Sequence, residues 1–166
     1  MASLIKELIE TLTEQNNIYQ SLLDVASKKK VAIIENKIPN LQDFVKDENV
    51  LIGRNQRLDK KRIEIFKDIS MVLGKNDELS LKDIISCMKG QEGEKELIAI
   101  RENMLEILPK LKSLNDQNQE LLTISMDYVD FSINMIRASG GNSPTYYDSL
   151  GNEINTLDKK MFDAKQ

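Results

Sequence analysis

Residues 94–136 read EKELIAIRENMLEILPKLKSLNDQNQELLTISMDYVDFSINMI, and the spacing of their apolar side chains decides the fold. On a seven-residue grid Leu97, Met104 and Leu111 share one position, while Ile100, Ile107, Leu114, Leu121, Tyr128 and Met135 share the next seam position. Leu108, Leu122, Val129 and Ile136 widen that seam into a stripe. Steps of three and four without alternation place the stripe on a helix, since a strand would send successive residues to opposite faces. Unbroken, such a helix spans roughly 60 Å at 1.5 Å per residue, so it requires long partners. Pro109 falls on the face opposite the seam and is expected to kink the helix or detach its first turns.

Two amides, Asn115 and Asn118, interrupt the stripe just before Leu121 and Leu122. A buried amide costs energy unless paired, so such residues on a seam are expected to set register by bonding across it.

Two long partners precede this stretch. From Ser3 to about Asn36 the apolar residues Ile5, Leu8, Leu12, Tyr19, Leu22, Ala26 and Ile33 recur at helical spacing, with Ile9, Leu23 and Val25 beside them. Ser3 is placed to cap that helix, with Glu7 and Glu10 near its positive end. Asn36-Lys37-Ile38-Pro39-Asn40 predicts a tight reversal, and a second helix is expected from about Asn40 to Leu73, closed by Gly74. Its seam reads Leu41, Phe44, Leu51, Leu58, Ile65, Ile69 and Val72, with Glu48, Asn55 and Arg62 as polar layers. Folding back about residue 38 sets Glu48 opposite Lys28 or Lys29, and Arg62 opposite Glu14. Between Gly74 and Gly93, Ser80-Leu81-Lys82-Asp83 resembles a capping box for a short helix with Leu81, Ile84, Ile85 and Met88 on one face. That helix is expected to clasp one end of the bundle. The predicted fold is therefore all-α: an elongated antiparallel bundle of three long helices plus one short helix over residues 1–138. Residues 139–166 are expected to be a flexible tail with room for a short amphipathic helix, on the pattern of Gly140, Gly141 and Pro144 followed by Ile154, Leu157, Met161 and Phe162.

Composition narrows the function. The net charge is −4 and the one basic cluster is Lys28-Lys29-Lys30, so no phosphate-tracking basic stripe exists and no nucleic acid is expected as a partner. Those lysines read as a solvated or internally paired patch rather than an anion site. The chain has no histidine and one cysteine, Cys87, which removes the commonest general base and the usual metal-ligand clusters. Glu48 is the one carboxylate found on a seam, which argues against a metal-binding bundle. With no glycine-rich phosphate loop or nucleophile elbow either, neither an enzyme nor a cofactor is expected. The start of the chain opens into an amphipathic helix rather than a signal peptide, and no apolar run approaches spanning length, so a cytoplasmic protein without membrane insertion is expected.

From Ile124 onward the third long helix carries more apolar surface than two neighbours would cover, with Ile124, Met126, Phe131 and Ile133 lying off the main seam. Either this end packs under the short helix or it is a groove for another protein's helix.

Three features resemble the FlgN family of flagellar type III export chaperones: Asn115-x-x-Asn118-x-x-Leu121-Leu122 on the long helix, Pro144-Thr145-x-Tyr147 with Gly151 in the tail, and the layout of a small acidic helical protein. Asp148 stands where the family commonly has glycine. The resemblance implies a cytoplasmic chaperone that binds hook-associated (hook–filament junction) proteins, prevents their premature assembly and delivers them to the flagellar export gate. It implies client binding on the face around Tyr128, Phe131, Met135 and Ile136, and docking to the export machinery through Tyr147 and Gly151. A monomer or a weak homodimer is compatible with this. The alternative is a structural coiled-coil adaptor that self-associates through the same stripe.

Overall fold

A computed structural model describes residues 1–75 and 79–138 and contains, among them, helices and no strand. The order is α1 (Ala2–Ile34), α2 (Ile38–Val72), α3 (Leu81–Cys87) and α4 (Glu94–Ala138), three long helices and one short one as the periodicity predicts. The chain clusters into two compact units, Met1–Leu121 and the residues from Leu122 onward, so the division falls inside α4.

Local chemistry explains each helix end. After α1, the Asn36 N–H donates to Ile33 O and the Lys37 N–H to Ala32 O, with Asn36 at φ 55°. This pair of bonds satisfies the last carbonyls of the helix, and asparagine tolerates the left-handed conformation it needs. The reversal therefore happens at Asn36, earlier than the proline. Ile38 is already helical and Pro39 sits in the first turn of α2, where its missing N–H leaves no bond unmade. Gly74, at φ 63°, ends α2 in the same way: its N–H donates to Met71 O and that of Lys75 to Ser70 O. Ser80 and Asp83 form the capping box of α3, each side chain accepting from the other's backbone N–H. At α1 the expectation fails: Met1 is the N-cap and no side chain caps it, and neither Glu7 nor Glu10 lies in the first turn.

In the first unit α1 and α2 form an antiparallel pair, and its interior consists of two apolar cores. One contains Ile5, Leu8 and Leu12 of α1, Ile65 and Ile69 of α2, Ile84 and Met88 of the α3 region, and Leu97 and Met104 of α4. The other contains Ile18, Leu22 and Ala26 of α1 with Leu111 of α4, flanked by Leu51, Leu58 and Leu114. Gln15, fully buried, lies between them along α1 and donates through Nε2 to Asn55 Oδ1 at 3.3 Å. Most of α2 is less enclosed than its seam predicts: Ile65, Ile69 and Ser70 are its buried residues, while Val72 is exposed. Leu108 of α4, expected to widen the seam, is exposed as well.

The polar pairs settle the register. Lys29 Nζ meets Glu48 Oε2 at 2.7 Å with both side chains largely enclosed, the pairing the fold-back predicts. Arg62 does not meet Glu14. It pairs with Asp59 one turn away and stacks over Phe66, while Glu14 takes Arg54 and Glu7 takes Lys61. Glu14 thus pairs eight residues nearer the start of α2 than the fold-back about residue 38 predicts. The lysine run is engaged within the chain: Lys28 with Asp24, Lys29 with Glu48 and Lys30 with the Gln117 side-chain oxygen.

Pro109 does not detach the first turns of α4, which is helical through it; the proline is exposed. The short helix packs with the beginning of α4, through Leu97 and Met104, against the start of α1 and the end of α2. Gly93 turns the chain into α4 at φ 90°, and a Cβ there would sit 3.1 Å from both Ile5 Cγ2 and Ile9 Cδ1.

Candidate functional site

Asn118 is the most tightly specified residue of the sequence element Asn115-x-x-Asn118-x-x-Leu121-Leu122. It shares the heptad position of Leu97, Met104 and Leu111, is buried to 2% exposure, and donates through Nδ2 to the Ala26 carbonyl at 2.8 Å. An amide at this seam position thus ties α4 to α1. Asn115 lies one helical step round and is exposed, and Leu121 and Leu122 are half-buried. The motif is therefore a mixture of one structural tether and three positions of lesser enclosure.

Beyond Asn118 no described residue of α4 is buried. On this part of the helix Ile124 is 56%, Tyr128 70%, Phe131 61% and Met135 56% exposed. Steps of four, three and four place these four side chains within about 60° of one another around the helix, in a strip about 16 Å long. Ile136 falls elsewhere. It is half-buried and shares a different face with Val129, so three of the four residues expected to act together are joined, and Ile124 completes their stripe. The signal for Ile124 was present as its i, i+4 relation to Tyr128; the seam-based grid obscured it.

The edge of this stripe is acidic. Asp127 and Asp130 are exposed, and no lysine or arginine occurs between Lys112 and Arg137. No member of the stripe is a nucleophile or a metal ligand; its chemistry is that of an apolar contact surface. Among the described residues no group of acidic or thiol side chains is arranged to hold a metal ion, and no helix is long and apolar enough to cross a membrane. Cys87 is partly exposed, with Lys75 Nζ 3.5 Å from its sulfur. Tyr147 and Gly151 lie outside the described residues, as does the amphipathic segment expected in the tail.

Concave surfaces elsewhere are shallow and mixed. A groove of about 330 Å³ beside the α1–α2 reversal is lined by Val31, Ala32 and Phe44 with Lys28, Glu35 and Lys37 at its rim. It brings together no set of groups able to carry out a reaction.

Comparison with known proteins agrees with the features described. No solved structure matches the chain significantly. A Bacillus subtilis (strain 168) protein named "Uncharacterized protein YvyG" is 26% identical over 161 residues, covering 96% of this chain and 98% of that protein. A family model described as "FlgN protein" matches residues 1–153, which takes in the helices, the Asn118 element and Tyr147. With nearly the whole chain matched, it belongs to the FlgN family of flagellar export chaperones.

Proposed function

We propose that this protein is a cytoplasmic chaperone that holds hook-associated proteins through the exposed stripe of α4, keeps them from assembling early, and delivers them to the flagellar export gate. The observation that carries the reading is the run of Ile124, Tyr128, Phe131 and Met135, each more than half exposed on one helical face. Large apolar side chains grouped in this way favour a helix-in-groove or helix-on-helix partner. Methionine and tyrosine suit a surface that adapts to its ligand: one is flexible and polarizable, and the other offers apolar area with a polar end. Capture and release need no nucleotide, metal or catalytic group, because hand-over requires only that the client bind the next station better than this one. Tyr147 and Gly151, by their match to the family pattern, are assigned to contact with the export machinery.

The test is co-expression with the hook–filament junction proteins of the same cell, followed by pull-down. Wild type is expected to retain one or more of them. Burying each large apolar side chain contributes about 1.5–3 kcal/mol, so Phe131→Asp with Met135→Asp should weaken retention by about 100-fold or more. Undiminished retention by that folded double variant overturns the assignment of the stripe. Absence of any complex with wild type overturns the chaperone reading itself. The coiled-coil adaptor predicts instead an obligate oligomer that persists on dilution, which sedimentation detects.

A further inference from the structure

From the charge pattern beside the stripe we infer that its partner is an amphipathic helix whose apolar face is edged by lysine or arginine. This deepens the proposed function, on which it rests for the identity of the site. Residues 113–136 contain Asp116, Glu120, Asp127 and Asp130 but not one cation, in a chain where 23 of 166 residues are lysine or arginine. At 100° per residue these four carboxylates fall along one edge of the helix, on the Phe131 side of the apolar stripe. All four are exposed, and none forms an ion pair among the described residues. The contrast with Lys28, Lys29 and Lys30 of α1, each of which has a partner inside the chain, is direct.

An apolar seam flanked by a row of like charge is the arrangement by which paired helices choose partner and orientation: the seam supplies affinity and the edge supplies discrimination. A second copy of this chain fits poorly. Two-fold self-pairing through the stripe would bring the same four carboxylates from both copies into the interface, with Arg137, at the far end of that edge, as the one cation of this part of the helix to offset them. A partner helix with a basic edge meets apolar with apolar and anion with cation. Because the carboxylates are exposed, their effect should fall with salt and act strongly on the rate of association.

Two synthetic helical peptides with the same four apolar residues at i, i+4, i+7 and i+11, one edged with lysine and the other with glutamate, test this by calorimetric titration into the full-length protein. The lysine-edged peptide should bind about tenfold tighter at low salt, the sum of several edge pairs each of modest strength. That preference should shrink in high salt and nearly vanish in an Asp127→Asn, Asp130→Asn variant, whose exposed positions leave the fold intact by circular dichroism. Equal or tighter binding of the glutamate-edged peptide overturns the inference, as does no binding of either. The pull-down separates the two readings. Retention of a junction protein by wild type, lost with Phe131→Asp, keeps the proposed function even where the peptides show no preference. Failure to retain any junction protein removes that function, while a preference for the lysine edge still identifies the chemistry of the partner.

Discussion

Gly93 and Gly74 show how the same residue type answers to different constraints. Both take positive φ, but a Cβ at Gly74 meets open space, whereas one at Gly93 presses on Ile5 and Ile9 at 3.1 Å. Gly74→Ala should therefore cost about 1 kcal/mol from backbone conformation alone. Gly93→Ala should cost more, about 2–3 kcal/mol, because the α1 side chains must also shift; urea denaturation of the two variants measures the difference. Gln15 presents the opposite case. It is fully buried, yet its Oε1 finds no partner, so the residue spends stability on a polar layer between two apolar cores. Gln15→Met should raise stability by about 1 kcal/mol, read as a higher denaturant midpoint with an unchanged slope. Nothing in the sequence distinguished Gln15 from the exposed polar residues around it, because its burial follows from where α2 and α4 lie.

Helix ends are the elements best written into the sequence. The capping box at Ser80, the glycine after α2 and the asparagine after α1 all act within a few residues, and a local signal is enough to place them. Where prediction missed, at the start of α2, the competing principle was the tolerance of the first turn for proline. The capping box also carries a pH signature. The Ser80 hydroxyl, and then its backbone N–H, donate to the Asp83 carboxylate and hold its pKa below the usual carboxylate value. A depressed folded-state pKa contributes stability above the unfolded value, and that contribution is lost as pH falls through the folded value. Asp83→Asn should accordingly lower the melting temperature at neutral pH, and the gap from wild type should close as pH drops below Asp83's ordinary value of 3.8. A gap that stays constant into acid would show that the ionised form contributes nothing. The short helix matters beyond its own cap, since Ile84 is fully buried in the larger core.

For the molecule as a whole, residues that hold the fold and residues of the exposed stripe are separable. Ile84→Ala should cost about 2–4 kcal/mol, as deletion from a packed core does. Phe131→Asp with Met135→Asp should leave the thermal midpoint nearly unchanged, because both side chains are more than half exposed in the free protein. A large fall in stability of the double variant would mean that the stripe belongs to the fold rather than to a ligand. The helical class, the three long helices and one short one, and the reversal between α1 and α2 were legible in the amino-acid order, since periodicity and caps are properties of neighbouring residues. So was the concentration of apolar residues after Ile124; of the face that the family resemblance implies, Tyr128, Phe131 and Met135 share one stripe and the helix turns Ile136 onto another side. Register and coverage belonged to the folded molecule. A cross-helix pair is not fixed by periodicity alone, and the packing of α2 on α1 gives Glu14 to Arg54 rather than to Arg62, eight residues further along. Where the short helix docks likewise depends on contacts between residues far apart in the chain: Ile84 and Met88 meet Ile5, Leu8, Ile65, Ile69 and Leu97 in one core.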